Sequence, residues 1–117
     1  MRRVIVETPY AGDVERNLRY LRACMRDCFL RGEAPFASHA IYTQPGVLDD
    51  TDPDERQLGI EAGFVWREFA DATVVYTDLG MSRGMEYGIA HANSIEHKIE
   101  YRSLPIYSNQ RSETEEK

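Results

Sequence analysis

The chain has 117 residues, 42% of them hydrophobic, and a formal net charge of −6 with a pI of about 5.0. This length allows one domain with a sizeable core but not two domains. Because binding to duplex nucleic acid depends on neutralising phosphates, the acidic balance argues against a nucleic-acid polymer as partner. A small phosphorylated ligand held by backbone N–H groups and one or two arginines is still compatible with this charge.

The sequence also argues against membranes, metals and disulfides. No apolar run approaches the roughly 18 residues of a membrane helix, and the N-terminal segment lacks the apolar stretch of a secretory signal. Cys24 and Cys28 stand four residues apart on a predicted helix, which favours buried thiols in a reducing compartment. We therefore predict a cytoplasmic protein with no membrane partner, no metal and no cofactor.

Strands and helices alternate along the chain. Apolar and β-branched runs predict strands at 3–7, 35–39, 71–76 and 98–102. Helical spacing of apolar residues predicts helices at 14–31, at 53–69 and from the glycine-rich turn at 78–84 to about 94. The alternation predicts a single α/β domain with a parallel sheet over residues 1–104, followed by a polar tail at 105–117.

Two acidic positions are interpreted as helix caps. Asp13 precedes the first helix, and Asp52 is followed by Pro53 and Glu55, which is a strong helix start. We prefer this interpretation to a divalent-cation site in the acidic segment 49–55. The irregular segment 43–51 before it has the length of a functional loop such as a lid. Apolar residues on several sides of the second helix suit packing between the sheet and a further partner, for example a second subunit.

The stretch 78–90, DLGMSRGMEYGIA, joins a buried strand to a helix through a glycine-rich turn. A turn of this kind presents free N–H groups at a helix start and favours anions such as phosphate. Glu86 lies four residues after Ser82, so an anion site and a reactive carboxylate could coincide. In an open parallel sheet, ligands bind beyond the carboxyl ends of the strands, which here are followed by loops at 8–13, 38–46 and 77–83.

With these segments in hand, the chain resembles the nucleoside 2-deoxyribosyltransferase-like superfamily, which includes deoxynucleoside 5′-monophosphate N-glycosidases. The similar segments are VIVETPYAG at 4–12, ADATVVYTD at 70–78 and SRGMEYGIA at 82–90. The resemblance covers about residues 3–102 and is strongest to short phage-borne members. It implies a Rossmann-like, flavodoxin-type three-layer sandwich with a mostly parallel sheet of four to five strands. It also implies a homodimer or a higher homo-oligomer, in a phage-infected bacterial host if the similarity to phage members extends to origin.

The resemblance also implies roles for individual residues. Glu86 matches the glutamate that attacks the anomeric carbon of the sugar, Asp78 the aspartate that handles the base or its proton, and Tyr10 an aromatic residue that orients the sugar or the nucleophile. The residues expected to bind the substrate come from the three loops and from the turn that, in the monophosphate branch, holds phosphate: Thr8, Pro9, Gly12, Ser38, His39, Gly80, Ser82, Arg83 and Gly84.

These expectations leave alternatives open. Glu86 could instead only complement the helix dipole, and Arg83 is as well explained by a solvated first turn as by a phosphate. The predicted function is cleavage or transfer at the N-glycosidic bond of a nucleoside or its 5′-monophosphate. The alternatives are a non-catalytic protein that senses or sequesters a nucleotide or a nucleotide-derived signal, and a protein-partner role for an old enzyme fold.

Overall fold

The computed structural model describes residues 1–107 of the chain. The elements along these residues are β1 (Arg2–Glu7), α1 (Val14–Leu30), β2 (Glu33–Phe36), α2 (Ser38–Ile41), α3 (Pro53–Arg67), β3 (Ala72–Tyr76), α4 (Arg83–Ser94) and β4 (Ile99–Arg102). The predicted α/β alternation is confirmed.

The strands form one parallel sheet in the order β2-β1-β3-β4. Ile5 of β1 stands opposite Phe36 on one side and Thr73 on the other. All strands therefore end at the same edge, and the order reverses between β1 and β3. In open α/β sheets a crevice forms at such a reversal, beyond the carboxyl ends of the strands.

The two faces of the sheet carry different helices, because successive strand residues point to opposite faces. The face made by Val4, Val6, Val74 and Tyr76 packs against α1 through a buried cluster of tyrosine, leucine and cysteine side chains. Both cysteines belong to this cluster and are free thiols, as predicted. Burial raises the pKa of the Cys24 thiol.

The opposite face packs against α3 and α4. From α4 it receives Met85, Gly88 and Ala92, spaced three and four residues apart as one helix face requires. From α3 the buried residues are Gly63 and Arg67. The last residue of β1, Glu7, has the same parity as Ile5 and therefore points to this side.

The helix starts follow the predicted chemistry. The Asp13 side chain accepts a hydrogen bond from the Arg16 N–H, and the Asp52 side chain accepts from the N–H groups of Asp54 and Glu55. The capping interpretation of Asp52 is therefore confirmed. The first backbone N–H groups of a helix have no carbonyl partner within the helix, and each of these side chains accepts a hydrogen bond from them.

The segment after β2 differs from the prediction of a strand at 35–39 that ends in a polar loop. The strand ends at Phe36, and Ser38–Ile41 forms α2. This short helix packs on α3 where Gly63 has no side chain: a Cβ there would lie 2.6 Å from Ser38 Oγ. The helical conformation of this segment therefore goes with a tertiary contact, which local sequence propensity does not report.

Several apolar residues of α3 and of the turn that follows it are exposed to solvent. Leu58, Val65 and Phe69 are each more than half exposed. The sheet side of the helix is used by Gly63 and Arg67 instead. The predicted second subunit over this helix remains a prediction.

The chain continues to pack beyond the predicted domain end at residue 104. Leu104 is buried in the core, and the Tyr107 ring meets the Tyr20 ring edge-on at 5.7 Å. The packed region therefore reaches residue 107. The remainder of the predicted tail, 108–117, lies outside the described residues.

Candidate functional site

A pocket opens at the carboxyl edge of the sheet, on the side of α3 and α4. Its walls come from the end of β1, the segment from Phe36 to Thr43, the sheet-facing side of α3 and the first turns of α4. The end of β1 and the first turns of α4, which follows β3, adjoin the place where the strand order reverses. The pocket therefore lies where this type of sheet places its ligand site.

The floor of the pocket holds a buried ion pair between Glu7 and Arg67. Arg67 Nη2 donates to Glu7 Oε1 at 3.1 Å, and the two side chains are 13% and 3% exposed. Burial raises the pKa of Glu7 to about 7, although the Arg67 guanidinium opposes the shift. A carboxyl group with a pKa near neutrality, at the end of a central strand, is the type of group that enzymes use for chemistry.

Arg67 is itself held from the α4 side. Its Nη1 donates to the backbone carbonyl of Gly88 and contacts His91 Nδ1 at 3.3 Å. The His91 ring stacks on Phe64, with centroids 3.9 Å apart and planes nearly parallel. Arg67 Nε is buried and has no hydrogen-bond partner within residues 1–107. The guanidinium is thus fixed by its other nitrogens and keeps one N–H unused by these residues.

Gly88 makes room for the carboxylate. A Cβ built on Gly88 would lie 2.0 Å from Glu7 Oε2 and 2.7 Å from Oε1. No real Cβ contact is that short, so any larger residue would displace the carboxylate. The glycine in the second turn of α4 is therefore a steric requirement of the Glu7 position.

A neutral histidine lines the same pocket as the carboxylate. His39 Nε2 is 2.8 Å from Thr8 Oγ1, and the Tyr10 ring meets the imidazole edge-on at 6.4 Å. Burial lowers the pKa of His39 to about 4, so the ring is uncharged at neutral pH. Thr8, Tyr10 and His39 all line the pocket and offer a hydroxyl, a phenol and an imidazole to a ligand.

Aromatic side chains make another wall. Phe36 and Tyr42 line the pocket, and their rings meet edge-on with centroids 6.5 Å apart. Trp66 contacts both: its ring centroid is 5.5 Å from that of Phe36, and its Nε1–H donates to the Tyr42 hydroxyl. Tyr87 lies on the α4 side. Aromatic faces of this kind stack against planar ligands.

The N-terminus of α4 completes the rim. Ser82 caps the helix, its hydroxyl accepting from the Met85 N–H at 3.2 Å. Ser82, Arg83 and Gly84 line the pocket. The first N–H groups of a helix and an adjacent guanidinium make a favourable place for an anion.

The structure brings together seven of the residues that the sequence predicted for the site. These are Tyr10, Thr8, Ser38, His39, Ser82, Arg83 and Gly84. Pro9, Gly12 and Gly80 are not among the lining residues. Gly12 and Gly80 serve the turns instead, with φ of +96° and +85°.

Asp78 is placed on the other side of the sheet end. It accepts hydrogen bonds from the Tyr20 hydroxyl at 2.7 Å, from the Leu104 N–H at 2.9 Å and from the Ser103 hydroxyl. These partners belong to α1 and to the segment after β4, and Asp78 is not among the lining residues. Through these hydrogen bonds Asp78 connects the end of β3 to α1 and to the segment after β4. The geometry gives no support to the acid role that the resemblance implies for Asp78.

Glu86 is exposed on α4 and is likewise not among the lining residues. Its neighbours Met85 and Gly88 face the sheet, and one residue along a helix turns a side chain by about 100°. Its role as the attacking glutamate stays a prediction from the resemblance. The structure does not bring Glu86, Asp78 and Tyr10 into one cavity.

Sequence reasoning missed the pair that the pocket is built around. Glu7 carried a usable signal, because it is the last residue of a buried strand at the ligand edge, one position before the loop at 8–13. Arg67 carried none, since a basic residue in the last turn of a helix normally complements the dipole.

Within residues 1–107, no group of three or more His, Cys, Asp or Glu side chains is arranged to hold a metal ion. Among the helices of the same residues, none is long and apolar enough to cross a membrane.

The fold is that of a deoxyribosyltransferase-like, Rossmann-type sandwich. The solved structure of the 2-deoxyribosyltransferase from the psychrotolerant bacterium Bacillus psychrosaccharolyticus superimposes with a TM-score of 0.68 over 86% of this chain and 72% of that one, at 13% identity. At this identity the likeness concerns the fold. Residues 2–102 match the family described as a domain of unknown function, DUF7768, and the chain belongs to that family. No curated protein matches the sequence.

Proposed function

We propose that the protein cleaves or transfers the N-glycosidic bond of a nucleoside or its 5′-monophosphate. The observation that carries the proposal is the buried Glu7 carboxyl at the floor of a pocket with an aromatic wall and a helix N-terminus at its rim. Glycosidic cleavage passes through an oxocarbenium-like state that a carboxylate can attack or stabilise. The deoxyribosyltransferase-like fold supports the same substrate class by analogy.

The pocket walls suit the parts of such a substrate. A planar base would stack against Phe36 and Tyr42, and a 5′-phosphate would take the α4 N-terminus with Ser82 and Arg83. The sugar would then lie between them, near Thr8 and Glu7. Hydroxyl and imidazole groups at this position suit sugar hydroxyls.

The test is base release. The full chain is incubated with the common ribo- and deoxyribonucleosides and their 5′-monophosphates, and free base is measured by liquid chromatography, with and without an added acceptor base. Release without acceptor indicates hydrolysis, and base exchange indicates transfer. Absence of both, across the panel, would contradict the proposed reaction.

A second candidate is a protein that binds a nucleotide or a nucleotide-derived signal without changing it. It is favoured by the placement of Asp78 and Glu86 outside the pocket lining. Calorimetric binding of a nucleotide that is recovered unchanged would establish this candidate in place of the enzyme.

A further inference from the structure

We propose that Glu7, on the first strand, is the carboxylate that attacks the anomeric carbon, and that Arg67 and Gly88 hold it in place for that step. This inference rests on the proposed glycosidic function and assigns its reactive group. It moves the chemistry from the helix that follows the glycine-rich turn to the end of the central strand.

The first argument is the choice among the carboxylates available. Within the described residues, the pocket is lined by the carboxylates of Glu7, Asp50 and Glu55. Asp50 and Glu55 belong to the segment around the start of α3, where Glu55 Oε1 accepts from the Asp49 N–H. Glu7 is the carboxylate on the sheet. It ends β1, next to the point between β1 and β3 where the strand order reverses. It is therefore the one that a sugar lying over the strand ends would meet.

The second argument is the state of its two oxygens. Oε1 is bound by Arg67 Nη2 at 3.1 Å, which holds the carboxylate beside the guanidinium. Oε2 lies over Gly88 and accepts no hydrogen bond from residues 1–107, and the side chain keeps 13% of its surface exposed. Oε1 thus anchors the group, and the exposed part of the side chain leaves the carboxylate accessible to a ligand in the pocket.

The third argument is that this position is built from three elements. Arg67 comes from α3 and is held by the Gly88 carbonyl and His91 of α4. Gly88 also supplies the space, since any Cβ there would overlap the carboxylate. Buried ion pairs contribute little net stability, and an apolar pair of similar volume would stabilise the fold as well. Stability alone therefore does not account for a carboxylate at this position.

The proposed step balances without a co-reactant other than water. A carboxylate oxygen of Glu7 forms a bond to the anomeric carbon while the C–N bond breaks. The electron pair of the C–N bond leaves with the base nitrogen, which takes a proton from water. The resulting glycosyl ester is then hydrolysed by water or intercepted by an acceptor base. Hydrolysis returns the Glu7 carboxylate and releases the free sugar or sugar phosphate.

The experiment compares Glu7→Gln with Glu15→Gln and Glu86→Gln in the base-release assay. Glu15 is a matched control, because its side chain is 89% exposed on α1, far from the pocket lining. We expect Glu7→Gln to lower base release at least about 100-fold, the usual scale for losing such a group, and Glu15→Gln to leave it unchanged. A second readout is a mass increase by one sugar unit on the tryptic peptide 4–16 of acid-quenched wild type, located on Glu7 by fragmentation.

Folding is controlled separately. Circular dichroism and substrate binding are measured for each variant, and Glu7→Asp keeps the charge opposite Arg67 while retracting the oxygen. Loss of release in both Glu7 variants, with binding retained, supports the inference.

Base release that survives Glu7→Gln, or that is lost in Glu86→Gln instead, would overturn the Glu7 assignment and leave the proposed function standing. No release by the wild type would overturn the proposed function and this step with it.

Discussion

The contact between Gly88 and Glu7 makes the most direct prediction, through the substitution Gly88→Ala. The added Cβ would lie 2.0, 2.5 and 2.7 Å from the three atoms of the Glu7 carboxyl group, whereas heavy atoms in good contact are about 3.5–4.0 Å apart. The carboxylate must therefore move by more than about 1 Å, which is enough to break its 3.1 Å contact with Arg67.

The magnitude follows from opposing contributions. Overpacking a core position costs about 1–3 kcal/mol, and replacing a helical glycine by alanine returns about 1 kcal/mol. If the Glu7–Arg67 pair breaks as well, about 3–5 kcal/mol is added, because Arg67 is left as a buried unpaired charge. We expect Gly88→Ala to lower the free energy of unfolding by more than 1 kcal/mol, measured by urea denaturation.

Gly84→Ala is the matched control for stability, since it lies in the same helix. The nearest atom to its added Cβ would be Ser82 Oγ at 3.9 Å, an ordinary contact. We expect this variant to be unchanged or stabilised by up to about 1 kcal/mol.

A double-mutant cycle tests the cause. In a Glu7→Ala background the overlapping atoms are absent, so Gly88→Ala should no longer destabilise the protein. A Gly88→Ala variant as stable as Gly84→Ala, or a cost that persists without the Glu7 side chain, would refute the steric account.

Three further predictions concern ionisation and structure. If ionised Glu7 performs the attack, base release should rise with pH to a plateau above about 7, the pKa to which burial raises this carboxyl; a rate that falls through that pH would contradict the role. The pKa of His39 is lowered from 6.5 in the unfolded chain to about 4 in the folded protein, so the unfolded chain binds a proton that the folded one does not. The contribution of His39 to stability is therefore complete above pH 6.5 and falls by up to about 3 kcal/mol towards pH 4. Denaturation at several pH values should show a smaller fall in His39→Gln, and equal slopes would refute this cause. Asp78→Ala should cost about 2–3 kcal/mol in urea denaturation, because the buried Tyr20 hydroxyl and the Leu104 N–H lose their acceptor, and a neutral effect would show that these bonds matter little.

Local chemistry was sufficient to predict the elements of this protein except for the short helix α2. Asp13, Asp52 and Ser82 begin helices through interactions that span three or four residues, and the strands are short apolar runs. Alternation of these elements then leaves a parallel α/β sheet as the expected arrangement, with ligand-binding loops at its carboxyl edge. Six of the predicted site residues that line the pocket lie in those loops: Thr8, Tyr10, Ser38, His39, Ser82 and Arg83.

What the tertiary structure decided is which side chains meet at that edge. Glu7 and Arg67 are sixty positions apart, and they become a pair because the strand order and the packing of α3 bring them to the same face. Asp78 and Glu86 belong to the glycine-rich stretch that looked central, but strand parity turns one towards α1 and helix phase turns the other towards solvent. Sequence spacing sets where a side chain stands along an element. The direction in which it points, and what it meets there, depend on long-range packing.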